Sequence, residues 1–120
     1  MINIKPQVYK ALCNACPNAS VSDEYPVEWK TFPKVTYSEE NNATSAYYDD
    51  DEQFSRIVFK IDVFDKRNTF PVVQKVNEAM KSLGFQRTSS IDNPNTENYK
   101  HKIMRYEAEI DEKTLAVYHY

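Results

Sequence analysis

Cys13 and Cys16 stand three positions apart in Cys13-Asn14-Ala15-Cys16, the spacing of thiol redox motifs. Such chemistry needs a thiolate, which is favoured at the positive N-terminal end of a helix. Here Val8, Ala11, Leu12 and Ala15 recur at helical spacing before Pro17, so the pair closes a helix at its negative end. The reading is two reduced, structural cysteines, one packed and one near the surface. With His101 and His119 the pair would have the ligand types of a tetrahedral zinc site, but the histidines fall on separate strands without finger spacing. Asp49-Asp50-Asp51-Glu52 offers hard oxygen ligands of the kind magnesium and calcium take. Calcium loops, however, alternate their acids around a glycine, whereas these acids are consecutive. Glu28-Trp29-Lys30 matches half of a nuclease pattern, with no Pro-Asp strand end upstream to complete it.

Gly84 is the single glycine of the 120-residue chain. Phosphate-cradling loops need several glycines so that backbone amides can approach an anion, which excludes a Walker loop, a dinucleotide fingerprint and a kinase lid. No serine occupies a strand-turn-helix elbow, and neither histidine neighbours a candidate nucleophile in sequence. The expectation is a protein that is not an enzyme, with no catalytic residues, no cofactor and no metal.

Fifteen Lys and Arg against eighteen Asp and Glu leave a net charge of -3, with a pI near 5.4. No global field concentrates phosphates, and nucleic-acid binding would need a local basic patch. None is evident: the densest basic cluster, Lys100, His101, Lys102 and Arg105, is offset by Glu107 and Glu109. No apolar run approaches the roughly 18 residues that span a bilayer, and Met1 to Pro6 does not open a signal peptide. A cytosolic protein without membrane contact is expected, which makes the acceptor patterns at Asn18 and Asn42 chance matches.

The elements that must position these residues follow from periodicity. After the first helix, Val21, Tyr25, Val27 and Trp29 alternate irregularly, as a short strand or an ordered loop. Phe32 to Tyr37 reads as a strand, and Phe54 to Asp65 as another with Ile57, Phe59, Ile61 and Val63 on one face. At about 3.3 Å per residue the second runs roughly 40 Å, an overhang that asks for a partner. Val72, Val73, Val76, Ala79, Met80 and Leu83 mark a second helix, capped by Asn68 or Thr69, admitting Pro71 in its first turn and stopped by Gly84. Strands follow from Phe85 to Ile91 and around Met104, Tyr106, Ala108 and Ile110, and a turn at Asp111 to Lys113 returns the chain along Leu115 to Tyr120. The sum is one α+β domain over 1–120: a mainly antiparallel sheet, two helices packed on one face, and a long hairpin with an acidic loop.

That loop holds Glu39, Glu40, Asp49, Asp50, Asp51 and Glu52, with neither Lys nor Arg from Tyr37 to Ser55. Six like charges among Asn, Thr and Ser predict a mobile loop over 38–53 that orders only against another chain. Tyr47, Tyr48, Phe54 and Phe64 lie at element ends or on the less apolar strand face, where aromatic residues serve protein interfaces. These acids and aromatics together form the candidate interaction surface.

The strand Phe32-Pro33-Lys34-Val35-Thr36-Tyr37, the acidic loop, Arg56 to Val63, the helix ending Leu83-Gly84-Phe85, and Tyr106 to Asp111 follow an order that covers most of the chain. In length, order and texture this resembles the tail completion proteins of long-tailed bacteriophages, also called tail terminator or head-to-tail joining proteins. The resemblance implies a structural protein that forms a ring, expected to be hexameric, on the tail tube. There it would end tube growth and meet the head connector proteins, while DNA passes without being specifically bound. It places the protein in the bacterial host cytoplasm and then in the virion tail. Cys13, Cys16 and the dense run Asp49 to Glu52 depart from the family texture. Competing readings are a small α+β protein- or nucleic-acid-binding module, which for nucleic acid would need a basic aromatic sheet face, and a metal-dependent hydrolase using the acidic loop.

Overall fold

The computed structural model describes residues 2–23, 31–48, 51–94, 99–113 and 117–118, giving strand positions alone at 45–48, 51–53 and 117–118. Its elements run α1 (Lys5–Ala15), β1 (Ser20–Asp23), β2 (Lys34–Tyr48), β3 (Asp51–Asp65), α2 (Phe70–Ser82), β4 (Gln86–Asn93), β5 (Lys100–Asp111) and β6 (Val117–Tyr118). This is the α+β arrangement expected, with both helices against a mostly antiparallel sheet.

Local chemistry sets the helix ends. The Asn3 side-chain oxygen accepts the Lys5 N–H at 3.1 Å, and Pro6 lies in a first turn that needs no donor from it. At the far end Cys16 donates its N–H to Leu12 O at 2.9 Å, and Pro17, lacking an N–H, cannot continue the ladder. In α2 the Asn68 side chain accepts the Phe70 N–H at 3.0 Å. Gly84 adopts φ 90°, which lets its own N–H reach Lys81 O and the Phe85 N–H reach Met80 O. That closure turns Phe85 inward, where its ring stands edge-on to Phe59 at 5.9 Å.

The sheet runs β1-β2-β3-β5-β4, with β6 added to β5. Ile57, Phe59, Ile61 and Val63 of β3 are fully buried, each contributing roughly 1.5–3 kcal/mol relative to exposure. Met104, Tyr106, Ala108 and Ile110 of β5 flank them, and Val35 and Tyr37 of β2 complete the row. Val8 and Leu12 of α1 and Val73, Val76, Ala79 and Met80 of α2 cover this face in one continuous cluster. The Tyr106 hydroxyl donates to Asn77 on α2 at 3.0 Å, supplying the partner a buried phenol needs.

The structure corrects the hairpin. Residues 38–48 and 51–53, expected as loop, continue the strands, and Tyr48 pairs with Asp51. Ladder bonds to β3 satisfy the backbone of β2, while register shifts between Glu39 and Asn41 and from Thr44 to Tyr47 absorb a sequence without clean alternation. Asp49 and Asp50, the remaining part of the expected mobile loop, lie outside the described residues. The overhang is also shorter than expected. From Phe54 to Asp65, β3 is flanked by β2 on one side and β5 on the other, so among the described residues Asp51 and Glu52 alone pair with β2 and not with β5. The irregular stretch resolves into β1, parallel to β2 from Lys34 to Tyr37; Tyr25, Val27 and Trp29 lie outside the described residues. β4 runs on to Asn93, two residues past its expected end, by pairing with His101.

Phe59→Ala should lower unfolding free energy by about 3–5 kcal/mol, because the fixed sheet cannot close on the missing ring; urea unfolding measures it. Burial pushes the Tyr106 phenol up from 10.0 to about 12, opposed in part by Arg87. A raised folded value gives stability that is intact below about pH 10 and is lost as pH rises toward 12. Tyr106→Phe should therefore show a shallower loss of unfolding free energy than the wild type above pH 10.

Candidate functional site

The sheet face away from the helices carries charges of both signs on β2, β3 and β5, and the register places opposite signs beside one another. Arg56 of β3 pairs with Glu107 of β5. Arg105 of β5 reaches across to Glu40 of β2 at 2.8 and 3.4 Å, a two-pronged contact with one carboxylate. Lys60 lies 4.0 Å from Asp62 on its own strand. Such solvent-facing pairs contribute at most about 1 kcal/mol each, but they neutralise the middle of this face. Glu40 is therefore a strand residue with a partner in its own chain, not part of a protruding loop.

Toward the Asp65 end the face becomes aromatic. His101 stacks on Phe64 with ring centres 4.2 Å apart, and Tyr99 meets Phe64 edge-on at 5.6 Å and Phe32 at 5.9 Å. The Lys66 ammonium sits 5.4 Å over the Phe32 ring. His101 Nε2 lies 2.8 Å from Asp62 and Nδ1 lies 3.2 Å from the Asn93 amide. In the neutral ring this fixes one tautomer: Nε2–H donates to the carboxylate, and Nδ1 accepts from Asn93. An Asp-His pair of this geometry is the orienting half of a nucleophilic triad, yet the position a nucleophile would fill holds an amide. Both ring nitrogens are committed, so the cluster is built to hold strand ends together.

Adjoining this cluster, and sharing Asn93, Tyr99 and His101 with it, opens a cleft of about 640 Å3 where the start of α2 meets β4 and β5. Lys66, Lys100 and Lys102 line it with Asn68, Thr69 and Phe70. Its one aspartate, Asp92, is engaged by Lys102 at 3.4 Å. The first turn of α2 carries no acid and its N-cap makes no side-chain bond, so the positive end of the helix adds to the lysines. Phe70, 58% exposed, forms an apolar lip. The sequence shows no basic patch because Lys66 and Lys100 are 34 positions apart. Antiparallel pairing of Asp65 with Lys100 brings them to one place.

The expected interaction residues scatter. Glu39 and Glu40 sit midway along β2, Asp51 and Glu52 begin β3, and Tyr47 and Tyr48 end β2. Phe54 is half-buried at the hairpin end of β3. Phe64 is 1% exposed beneath His101 and Tyr99; its alternate-face position leads to an aromatic cluster of the chain itself and not to an open surface. Cys16 is buried and Cys13 half-buried, both as free thiols. Burial pushes the Cys16 thiol up, with Lys75 opposing and Cys13 reinforcing. Among the described residues no three His, Cys, Asp or Glu side chains gather as a metal site, and His119 lies outside them.

No protein-family model matches this chain. No curated protein matches its sequence. Among the described residues no helix is long and apolar enough to cross a membrane.

Alkylation at neutral pH should modify Cys13 faster than Cys16, and Cys16 more slowly than a free thiol peptide, because burial favours the protonated thiol. Mass spectrometry of a timed reaction reads both rates; a Cys16 rate above that of the peptide contradicts the structural role.

Proposed function

We propose that this chain is a structural assembly protein of the phage tail-completion type, which closes into a homo-oligomeric ring on the end of a tail tube, stops tube growth and joins the tail to the head connector. The observation that carries the reading is charge polarity along an elongated body of 53 × 26 × 24 Å. The sequence carries four consecutive acids, Asp49 to Glu52, where β2 passes into β3, and Lys66, Lys100 and Lys102 line the cleft at the opposite end of β3. A molecule with unlike poles associates head to tail more readily than through one self-complementary patch, and head-to-tail contacts close into rings when their rotation allows. The acids at the hairpin end also suit a passage through which DNA slides without being held, since they repel phosphates.

Support from the site is consistent with a role in assembly. The Asp62-His101-Asn93 network joins strand ends, and the solvent-facing charges of the sheet are largely paired within the chain. In this reading the protein is made in the bacterial cytoplasm and ends in the virion tail. Its partners are itself, the tail tube protein and the head connector proteins.

Tyr47→Ala with Tyr48→Ala should leave the melting temperature nearly unchanged while reducing capture of the protein on purified tail tubes, read by co-sedimentation and electron microscopy. Wild-type protein added to growing tubes should shorten them. Tubes of unaltered length, with the protein absent from their ends, sink the tail-completion reading.

A further inference from the structure

We infer that the Lys66–Lys100–Lys102 cleft is the receptor for the acidic hairpin end of a second copy of this chain, so that successive subunits join hairpin to cleft. This rests on the self-assembly reading above and specifies its contact. The cleft has the chemistry for an acidic peptide segment. Among the described residues Lys66 and Lys100 make no ion pair, and Lys102 has only the exposed Asp92. The α2 N-terminus adds the positive end of its dipole, with no acid in its first turn. Phe70 adds an exposed apolar surface at the lip, the kind of ring that anchors an interface once desolvated.

Complementarity on the page identifies the occupant. The chain itself carries four consecutive acids, Asp49 to Glu52, directly preceded by Tyr47-Tyr48, where β2 passes into β3. These two features sit at opposite ends of one strand: β3 begins at Asp51, and Lys66 follows its last residue, Asp65. Fifteen residues at roughly 3.3 Å each hold the poles about 45 Å apart. No chain can therefore fill its own cleft with its own hairpin. A hairpin seated in a cleft belongs to a neighbour.

The open edge of β2 offers a competing way to associate, and the structure disfavours it. Among the described residues β1 covers β2 from Lys34 to Tyr37. Beyond that, successive register shifts and the charges of Glu39 and Glu40 interrupt the regular row of amides that strand addition needs. End-to-cleft docking uses charge and needs no such row.

A charge-exchange experiment tests the contact. One variant carries Lys66→Glu and Lys100→Glu; the other carries Asp51→Lys and Glu52→Lys. Mass in solution is measured by light scattering for each alone and for their mixture, with circular dichroism and melting to verify folding. Wild-type protein should associate as concentration rises, and lose that association as salt is raised from about 0.05 M to about 0.5 M. Each variant alone should be monomeric. Their mixture should associate again, because the acidic hairpin of the first meets the intact cleft of the second, and the reversed pair meets likewise. Carbodiimide treatment of mixed light and heavy isotope-labelled wild type should yield intermolecular amides from Lys66 or Lys100 to residues 49–52.

Association of either folded variant alone at wild-type strength overturns the contact, as does failure of the folded mixture to associate. Wild-type protein that stays monomeric and yields no such amide also overturns it. Loss of DNA retention by the Lys66→Glu, Lys100→Glu variant, with its self-association unchanged, makes the cleft a phosphate site and overturns it too. None of these outcomes bears on tube capping, which the tube-length assay decides separately. Conversely, hairpin-to-cleft association without capping keeps the contact and removes the tail reading.

Discussion

Pairing of β3 with β2 on one side and β5 on the other is the constraint on which everything else depends. It seats the row Ile57, Phe59, Ile61 and Val63 beneath both helices, and it fixes what the alternate residues face. A slip of one residue would send that row to solvent and the charged row into the core. The same register places Arg56 beside Glu107, Asp62 beside His101, and Asp65 beside Lys100. Core, outer-face charge pattern and cleft are thus three consequences of one alignment.

The helices specialise within that frame. α1 closes the core with Val8 and Leu12 and finishes in a buried cysteine, whose environment suppresses the thiolate that chemistry would require. α2 does two things at once. Its apolar face packs on the sheet, while its N-terminus, uncapped by an acid, points its dipole toward the lysines brought round by β5. Gly84, the only glycine, is placed where the chain must leave α2 through a positive φ and turn Phe85 onto Phe59.

Charge is handled differently along the length of the molecule. In the middle of the outer face, cross-strand pairs neutralise it locally. At one end Lys66, Lys100 and Lys102 gather around the cleft, and at the other β3 begins with Asp51 and Glu52. Their separation along one strand keeps these two groups of charges from meeting within a chain. This distribution, more than the small net charge, gives the molecule a direction and underlies a reading based on assembly.

Elements whose residues are neighbours in sequence were legible there. Helical spacing marked Val8, Leu12, Val76 and Met80 for the core, and strict alternation marked the inward faces of β3 and β5, because a local period maps directly onto one face of a helix or strand. Helix stops were equally local, written in Pro17 and Gly84. The extent of the hairpin was not legible: residues 38–48 lack alternation, and their strand character comes from the ladder that β3 offers them. Phe64 kept its alternate-face position, but whether that face is open depends on Tyr99 and His101, more than thirty positions away. The cleft likewise exists because antiparallel pairing folds Lys100 back to Lys66. The sequence by itself determined which residues share a face, since that follows from backbone periodicity. Only the tertiary structure decided which faces meet and which charges find partners, since contacts between distant residues are set by strand register.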